Sequence, residues 1–144
     1  MPEPPAAPTL GYVICYVDRV GEALAFYGDA FGLRTRFVSE EGDEAYGELQ
    51  TGQTVLAFAS TALARKSTGE AAGRPAGFEV ALVFADDDAV AAAIASAVSH
   101  GATKVAAPMQ KPWGQTVAYV RDPQGVLIEL CTPVAGGAFR GPGR

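Results

Sequence analysis

Histidine and cysteine are scarce in this chain of 144 residues, which holds one His and two Cys. A structural zinc site takes four ligands, so these residue types alone cannot build one. Two cysteines are also too few for a disulfide framework, and Cys15 and Cys131 each lie singly inside an apolar run. We therefore expect two reduced, buried thiols on opposite sides of the sheet system, a cytoplasmic chain, and carboxylates as the basis of any metal site.

Positive charge is also in short supply. The 11 Lys and Arg are outnumbered by 16 Asp and Glu, and the formal net charge is −5. Such a chain repels both a phosphate backbone and an anionic membrane surface. Its apolar runs fall short of the ~18 residues of a spanning helix, and its first residues lack the basic and apolar regions of a signal peptide. We expect no nucleic-acid partner and no membrane association.

Proline and glycine are concentrated at the two ends and near the middle of the sequence. Residues 1–9 are rich in Pro and residues 134–144 are rich in Gly, so we predict a flexible extension and a flexible tail. The central part, 10–133, is predicted to be one domain of two parts joined by a segment with Gly and Pro. The predicted divisions are module one at 10–62, the linker at 63–76 and module two at 77–133.

The order of elements is the same in both modules. Each begins with an apolar strand, at 11–17 and 78–84, and continues with a helix that Gly32 or Gly101 ends. Three more strands follow, at 35–39, 45–50 and 54–60 in module one and at 103–107, 115–121 and 126–132 in module two. The last strands align, with 54–58 falling on 126–130. We predict an α+β fold of two βαβββ modules whose open sheet faces curve around a common cavity.

Several short motifs resemble a known superfamily. They are Tyr16-Val-Asp18, Ala25-Phe-Tyr27 and Phe31-Gly-Leu33 near the start, and Val-Arg-Asp-Pro-Gln-Gly-Val-Leu-Ile-Glu-Leu at 120–130. Together they resemble the vicinal oxygen chelate superfamily, which includes glyoxalase I, extradiol dioxygenases and bleomycin-resistance proteins. The resemblance covers about residues 10–133. It implies paired modules that form a cavity, with metal ligands, where present, on the first and fourth strands of each module.

The resemblance also maps the four ligand positions onto this sequence. In module one they fall on Tyr12 and Ala57, and in module two on Glu79 and Glu129. A phenol and a methyl group do not replace imidazole and carboxylate as ligands of a divalent transition metal. We therefore expect no tightly held transition metal and no other cofactor, although Glu79 and Glu129 can hold Mg²⁺ or Mn²⁺ loosely.

Each candidate residue has a structural alternative. Glu129 either lines a pocket or forms an ion pair with a Lys or Arg such as Arg121, and Glu79 either joins it or faces solvent. Trp113 either packs or stacks on a ligand. The candidates for ligand binding are Tyr12, Tyr16, Ala57, Glu79, Trp113 and Glu129, with Glu79 and Glu129 also the catalytic candidates.

Two functions follow from these residues. The first is a binding protein, similar to the bleomycin-resistance type, that holds a small organic molecule without a tight metal. An acidic cavity with aromatic edges suits a cationic ligand. The second is a lyase, isomerase or dioxygenase of the superfamily in which Glu129 or Glu79 is the general base, with or without a weakly held divalent metal. In both cases the apolar open faces predict a homodimer, and the linker permits the modules to pair either within one chain or by exchange between chains.

Overall fold

The computed structural model describes residues 10–69 and 76–133, which contain eight strands and three helices. The predicted extension 1–9 and tail 134–144 lie outside these ranges. In chain order the elements are β1 (Tyr12–Val17), α1 (Val20–Phe31), β2 (Thr35–Glu41), β3 (Glu44–Leu49), β4 (Val55–Ser60), α2 (Thr61–Thr68), β5 (Val80–Val83), α3 (Asp87–Ser99), β6 (Thr103–Gln110), β7 (Thr116–Arg121) and β8 (Leu127–Cys131).

The strands form two four-stranded mixed sheets of the same topology. Their orders are β1-β4-β3-β2 and β5-β8-β7-β6, and the first strand of each module runs parallel to the last. The three later strands of each module form an antiparallel meander. The predicted α+β fold of two βαβββ modules is confirmed, and β5 is shorter than the predicted strand 78–84.

Local sequence explains where the two main helices begin and end. Helix α1 ends at Gly32, whose φ of 73° lies in the left-handed region that favours glycine. Helix α3 begins after Asp86, whose side chain accepts a hydrogen bond from the backbone N–H of Ala89 at 2.9 Å. Its C-cap is His100, one residue before the Gly101 that the sequence predicts.

Helix α2 is an element that the sequence analysis did not predict. The Ser60 side chain caps it by accepting from the N–H of Leu63 at 3.2 Å, and Gly69 ends it. Only one of its residues, Ala64, is buried, so it lacks the wide apolar stripe that makes a helix visible in a sequence. It occupies part of the segment predicted as the linker, 63–76.

The core lies on the helix side of both sheets. Alternation along β1 directs Cys15 and Val17 toward α1, while Ile128 and Leu130 of β8 point toward the same core. The modules meet where α1 packs against α3. At this joint the buried hydroxyl of Tyr27 donates to Asp122 Oδ2 at 2.8 Å, which ties the first helix to the turn between β7 and β8.

The opposite faces of the sheets are open. Within one chain the sheets do not close around a common cavity, because the apolar helix faces pack against each other and hold the modules together on that side. Large apolar side chains consequently remain exposed on the sheets, among them Tyr12 at 55%, Phe37 at 51% and Met109 at 61%. A cleft of about 330 Å³ between the modules is lined by segments 54–56 and 79–82.

The two cysteines are free, buried thiols, as predicted. Cys15 belongs to the core, and burial together with the charge of Asp122 raises its pKa to about 11. Cys131 lies two residues after Glu129 on β8, so both side chains are on the open side of the sheet. Among the described residues, none of the helices is long and apolar enough to cross a membrane.

Candidate functional site

Strand register places the predicted site positions at equivalent points of the two modules. Ala57 of β4 pairs with Ile14 of β1, and Glu129 of β8 pairs with Ala81 of β5. Tyr12 lies two residues before Ile14, and Glu79 lies two residues before Ala81. Because side chains alternate along a strand, Tyr12 is on the same sheet face as Ala57, and Glu79 is on the same face as Glu129. The alignment of the two modules deduced from the sequence is therefore consistent with the strand pairing.

Glu129 is a buried carboxylate on the open face of the second sheet. It is 1% exposed, and its Oε1 accepts a hydrogen bond from the Tyr119 hydroxyl at 2.9 Å. Its Oε2 is buried with no hydrogen-bond partner among the described residues. Glu129 takes part in none of the ion pairs among the described residues. Arg121, which the sequence suggested as its partner, donates instead to the carbonyl of Gly125 at 3.0 Å.

Glu79 directly precedes β5, the strand that pairs with β8, and interacts with Glu129. Desolvation and, after it, the neighbouring Glu129 carboxyl raise the pKa of Glu79 above its usual value. The structure thus brings the two catalytic candidates together, with Glu79 more exposed than Glu129.

Side chains at the end of β8 extend this site. Burial and the adjacent Glu129 raise the pKa of the Cys131 thiol to about 12, so it stays protonated at neutral pH. The same thiol interacts with buried Gln115. Trp113 donates from Nε1 to Gln115 Oε1 at 2.8 Å, which fixes its indole beside this end of the sheet while leaving it 38% exposed.

The candidates from module one gather on the open face of the other sheet. Tyr12 and Tyr16 alternate with the core-facing residues of β1, and Ala57 is fully buried between neighbouring strands. Hydrogen bonds and ion pairs among the described residues do not join this set to Glu79, Trp113 or Glu129. One chain therefore presents the predicted site as two separate halves.

Module one also has a carboxylate that sequence analysis missed. Glu48 of β3 pairs with Ala57, and in module two Tyr119 of β7 pairs with Glu129, so Glu48 and Tyr119 are equivalent. Glu48 Oε2 accepts from the Tyr46 hydroxyl at 2.7 Å, and its Oε1 lies 3.5 Å from Arg36 Nε. The alternating pattern of β3 was the available signal, but its pairing partner was not evident.

The four positions do not fit a transition-metal site. Ala57 offers no donor atom, and Glu129 Oε1 is already occupied by Tyr119. Across the described residues, three or more His, Cys, Asp or Glu side chains nowhere assemble into a group that could hold a metal ion. The donor chemistry of this site is an acid pair with a phenol, which suits a ligand that donates hydrogen bonds better than one that needs nitrogen or sulfur ligands.

Sequence comparison identifies one family. The sequence model of the Glyoxalase/Bleomycin resistance protein/Dioxygenase superfamily matches residues 9–130. No curated protein matches the chain.

Solved structures with the same fold come from several bacteria. A glyoxalase-related enzyme from Fulvimarina pelagi has a TM-score of 0.80 at 21% identity, covering 94% of this chain and 99% of that one. A lactoylglutathione lyase from Agrobacterium tumefaciens has a TM-score of 0.63 at 22% identity, covering 94% and 100%. A glyoxalase/bleomycin resistance protein/dioxygenase family enzyme from Burkholderia phytofirmans PsJN has a TM-score of 0.69 at 22% identity, covering 87% and 98%. At these identities the likeness shows the fold alone.

Proposed function

This chain belongs to the Glyoxalase/Bleomycin resistance protein/Dioxygenase superfamily, and we propose that it binds a small cationic organic molecule without a tightly held transition metal. The observation that carries the proposal is Glu129, a buried carboxylate with one oxygen unpartnered among the described residues and a second carboxyl group, Glu79, beside it. A buried carboxylate is stable only when paired or hydrogen-bonded. A cationic ligand supplies both the charge and the missing donor.

A second copy of the chain completes the cavity in this proposal. The open face of module one is aromatic and exposed, with Tyr12, Tyr16 and Phe37 uncovered, while the open face of module two carries the acid pair. A twofold axis that sets module one of one copy against module two of the other covers both faces at once. Sedimentation of the purified protein at micromolar concentration should give a dimer, and a 14.8 kDa particle would contradict this part of the proposal.

The working compartment in this proposal is the cytoplasm. Both cysteines are free thiols, and the thiol pKa values near 11 and 12 keep them protonated and poorly reactive.

A weakly bound Mg²⁺ or Mn²⁺ is the alternative occupant of the acid pair. Metal analysis of the purified protein tests the expectation, and a stoichiometric transition metal would overturn it.

A thermal-shift series tests the ligand class. The probes are aromatic cations of several kinds, neutral alcohols of the same shape and matching carboxylates. Cations should raise the melting temperature of the wild type, because a ligand that binds only the folded state stabilises it. The effect should persist in Glu22→Gln, which changes an exposed acid on α1, and should be lost in Glu129→Gln. A protein that no cation stabilises would contradict the proposal.

A second function has its own supporting observation. The raised pKa of Glu79 beside Glu129 suits a general acid or base that transfers a proton at a carbon acid, as a lyase or isomerase does. Deuterium incorporation into simple 2-hydroxyketones in D₂O tests it by NMR. Enzyme-dependent exchange that Glu79→Gln abolishes would favour catalysis over binding alone.

A further inference from the structure

One arginine of the first sheet departs from the regular alternation of its strand. In β2, Thr35 and Phe37 pair with the neighbouring β3 residues Leu49 and Glu48. Arg36 is therefore one extra residue between two successive pairs, which is the arrangement of a β-bulge. In a regular strand Arg36 and Phe37 would point to opposite faces of the sheet, whereas the bulge places both of them opposite Glu48.

The bulge directs the Arg36 side chain onto the open face. Its Nε lies 3.5 Å from Glu48 Oε1, and the side chain is 52% exposed. Glu48 belongs to the open face because the preceding residue, Gly47, faces Leu24 of α1 on the other side of the sheet. In the part of the chain that the structure describes, this contact is the one ion pair of Arg36, and its two terminal nitrogens have no hydrogen-bond partner.

The equivalent bulge in module two is built without an arginine. In β6 the pairing with β7 also shifts by one residue, and Val105 is the extra residue opposite Tyr119. Tyr119 is equivalent to Glu48, so Val105 is equivalent to Arg36. The bulge itself therefore does not require a charged side chain, and the positive charge of Arg36 is specific to the open face of module one.

Aromatic rings lie beside this arginine. The ring of Phe37 is 6.3 Å from that of Tyr46, whose hydroxyl donates to Glu48 Oε2 at 2.7 Å. Both oxygens of Glu48 are thus engaged, and the outer edge of the guanidinium group is left for another anion. That edge presents two parallel N–H donors that match the two oxygens of a carboxylate. Together with the rings it suits a carboxylate on an aromatic body.

We infer that the ligand is a zwitterion whose cationic group lies at Glu129 and whose carboxylate binds the terminal nitrogens of Arg36 from the second copy. This inference rests on the proposed function, in which module one of one copy faces module two of the other, and it specifies the ligand. Glu129 is a buried acid with an oxygen that has no partner among the described residues. Arg36 has unpartnered donors on the face that lies opposite. A ligand with one charged group of each sign complements both.

Calorimetry with matched pairs of probes tests the inference. Each pair is a benzene ring that carries an ammonium group on a short methylene chain and, in the para position, either a carboxylate or the neutral carboxamide of the same shape. Chains of increasing length cover different separations of the charges, and both charged groups are ionised at about pH 7. For the best-fitting length, we expect the wild type to bind the zwitterion about tenfold tighter than the carboxamide, since a hydrogen bond to a charged group is worth about that ratio.

Three variants assign that preference to the guanidinium group. In Arg36→Gln the zwitterion and the carboxamide should bind equally. Arg36→Lys keeps the charge without the paired donors, so its preference should be intermediate. Arg34→Gln removes the same charge just before β2, from a residue outside the ion pairs of the described chain, and should keep the wild-type preference. Circular dichroism establishes that each variant is folded.

Co-expression of two variants tests whether Arg36 and Glu129 of different copies share a cavity. A dimer of one Arg36→Gln chain and one Glu129→Gln chain has one cavity that carries both changes and one that carries neither. Random assembly makes such mixed dimers about half of the population, so about one quarter of all cavities should bind the zwitterion with wild-type affinity. Each variant expressed by itself should contain no such cavity.

The outcomes separate the inference from the proposed function. Equal affinity for zwitterion and carboxamide at every length, or a preference that survives in Arg36→Gln, overturns the inference and leaves a cation-binding protein. A co-expressed mixture without wild-type cavities also overturns the inference, because Arg36 then does not face Glu129 of the other copy. Failure of zwitterions and carboxamides alike to bind the wild type overturns the proposed function itself.

Discussion

The two modules place different side chains at equivalent backbone positions. Module two has two acids there, Glu79 and Glu129, and ion pairs among the described residues leave both without a cation. Module one has a single acid, Glu48, on the strand next to Ala57, the position equivalent to Glu129. Glu48 accepts a hydrogen bond from Tyr46 and lies near Arg36. The acid of one face therefore has a cation nearby, whereas the two acids of the other face have none among the described residues.

The largest effect is expected when metal-ligating side chains are introduced at the module-one positions. The double variant Tyr12→His with Ala57→Glu puts an imidazole and a carboxylate at positions equivalent to Glu79 and Glu129. We expect nickel or zinc affinity to rise more than about 100-fold, because even changes outside the ligand set shift affinity by 10- to 100-fold. Equilibrium dialysis measures it, with Tyr12→His and Ala57→Gln as the control. Unchanged affinity would mean that the positions do not converge on an ion.

Packing behind the sheets offers a second contrast. Gly47 pairs with Phe58 in module one, and Ala118 pairs with Leu130 at the equivalent point of module two. A Cβ on Gly47 would lie 2.6 Å from a methyl carbon of Leu24. Gly47→Ala should therefore lower the free energy of unfolding by about 1–3 kcal/mol, measured by urea denaturation. A neutral effect would show that the Leu24 side chain moves aside at little cost.

The joint between the modules is the next target. Tyr27→Phe removes the donor to Asp122 Oδ2, a carboxylate that is 5% exposed and still accepts from two backbone N–H groups through Oδ1. We expect a loss of about 1.5–2 kcal/mol of stability in denaturant titrations, as for a hydrogen bond to a charged group. Tyr16→Phe, on the open face, is the matched control and should change stability little.

The acid pair should give the smallest effect on the empty protein. Because the pKa of Glu79 is raised, the folded state holds this proton more tightly than the unfolded chain. The resulting stability is complete below the unfolded pKa and is lost as pH rises through the folded pKa. Melting curves of the wild type should show this loss with rising pH, and those of Glu79→Gln should not.

Glu129→Gln completes that comparison. Above the same pH window it should be at least as stable as the wild type, because it removes the repulsion within the pair while keeping an acceptor for Tyr119. A large drop in its melting temperature would instead indicate a carboxylate that stabilises the fold through a partner. That result would contradict the ligand-binding role of Glu129.

The repeat and the sheet register were predictable because they rest on local signals. The β-turn at 122–125, the glycine after α1 and the two-residue alternation of the last strands fix where elements end and which residues share a face. The mapping of Glu79 and Glu129 to one site came instead from the resemblance to the superfamily. Helix α2 escaped prediction because its single buried residue, Ala64, gives no periodic apolar pattern.

The partners of the site residues could not be predicted in the same way. Tyr119 meets Glu129, and Arg36 meets Glu48, only after the central strands pair, and strand order is a property of the whole sheet. The relative position of the modules also depends on tertiary packing. The modules meet where α1 packs against α3, and local patterns of each helix do not show which surface it will contact.

The parallel pairing of β1 with β4 and of β5 with β8 has a consequence for the kinetics of the site. Val13 pairs with Leu56 and Val80 with Ile128, so each pairing closes a long loop, whereas the meanders close short ones. Strand β1, which bears Tyr12, and strand β5, which Glu79 directly precedes, should therefore dock late in folding. As edge strands they should also open early in native-state hydrogen exchange. A ligand that bridges Glu79 and Glu129 holds β5 against β8, and protection of the β5 amides then reports occupancy of the site.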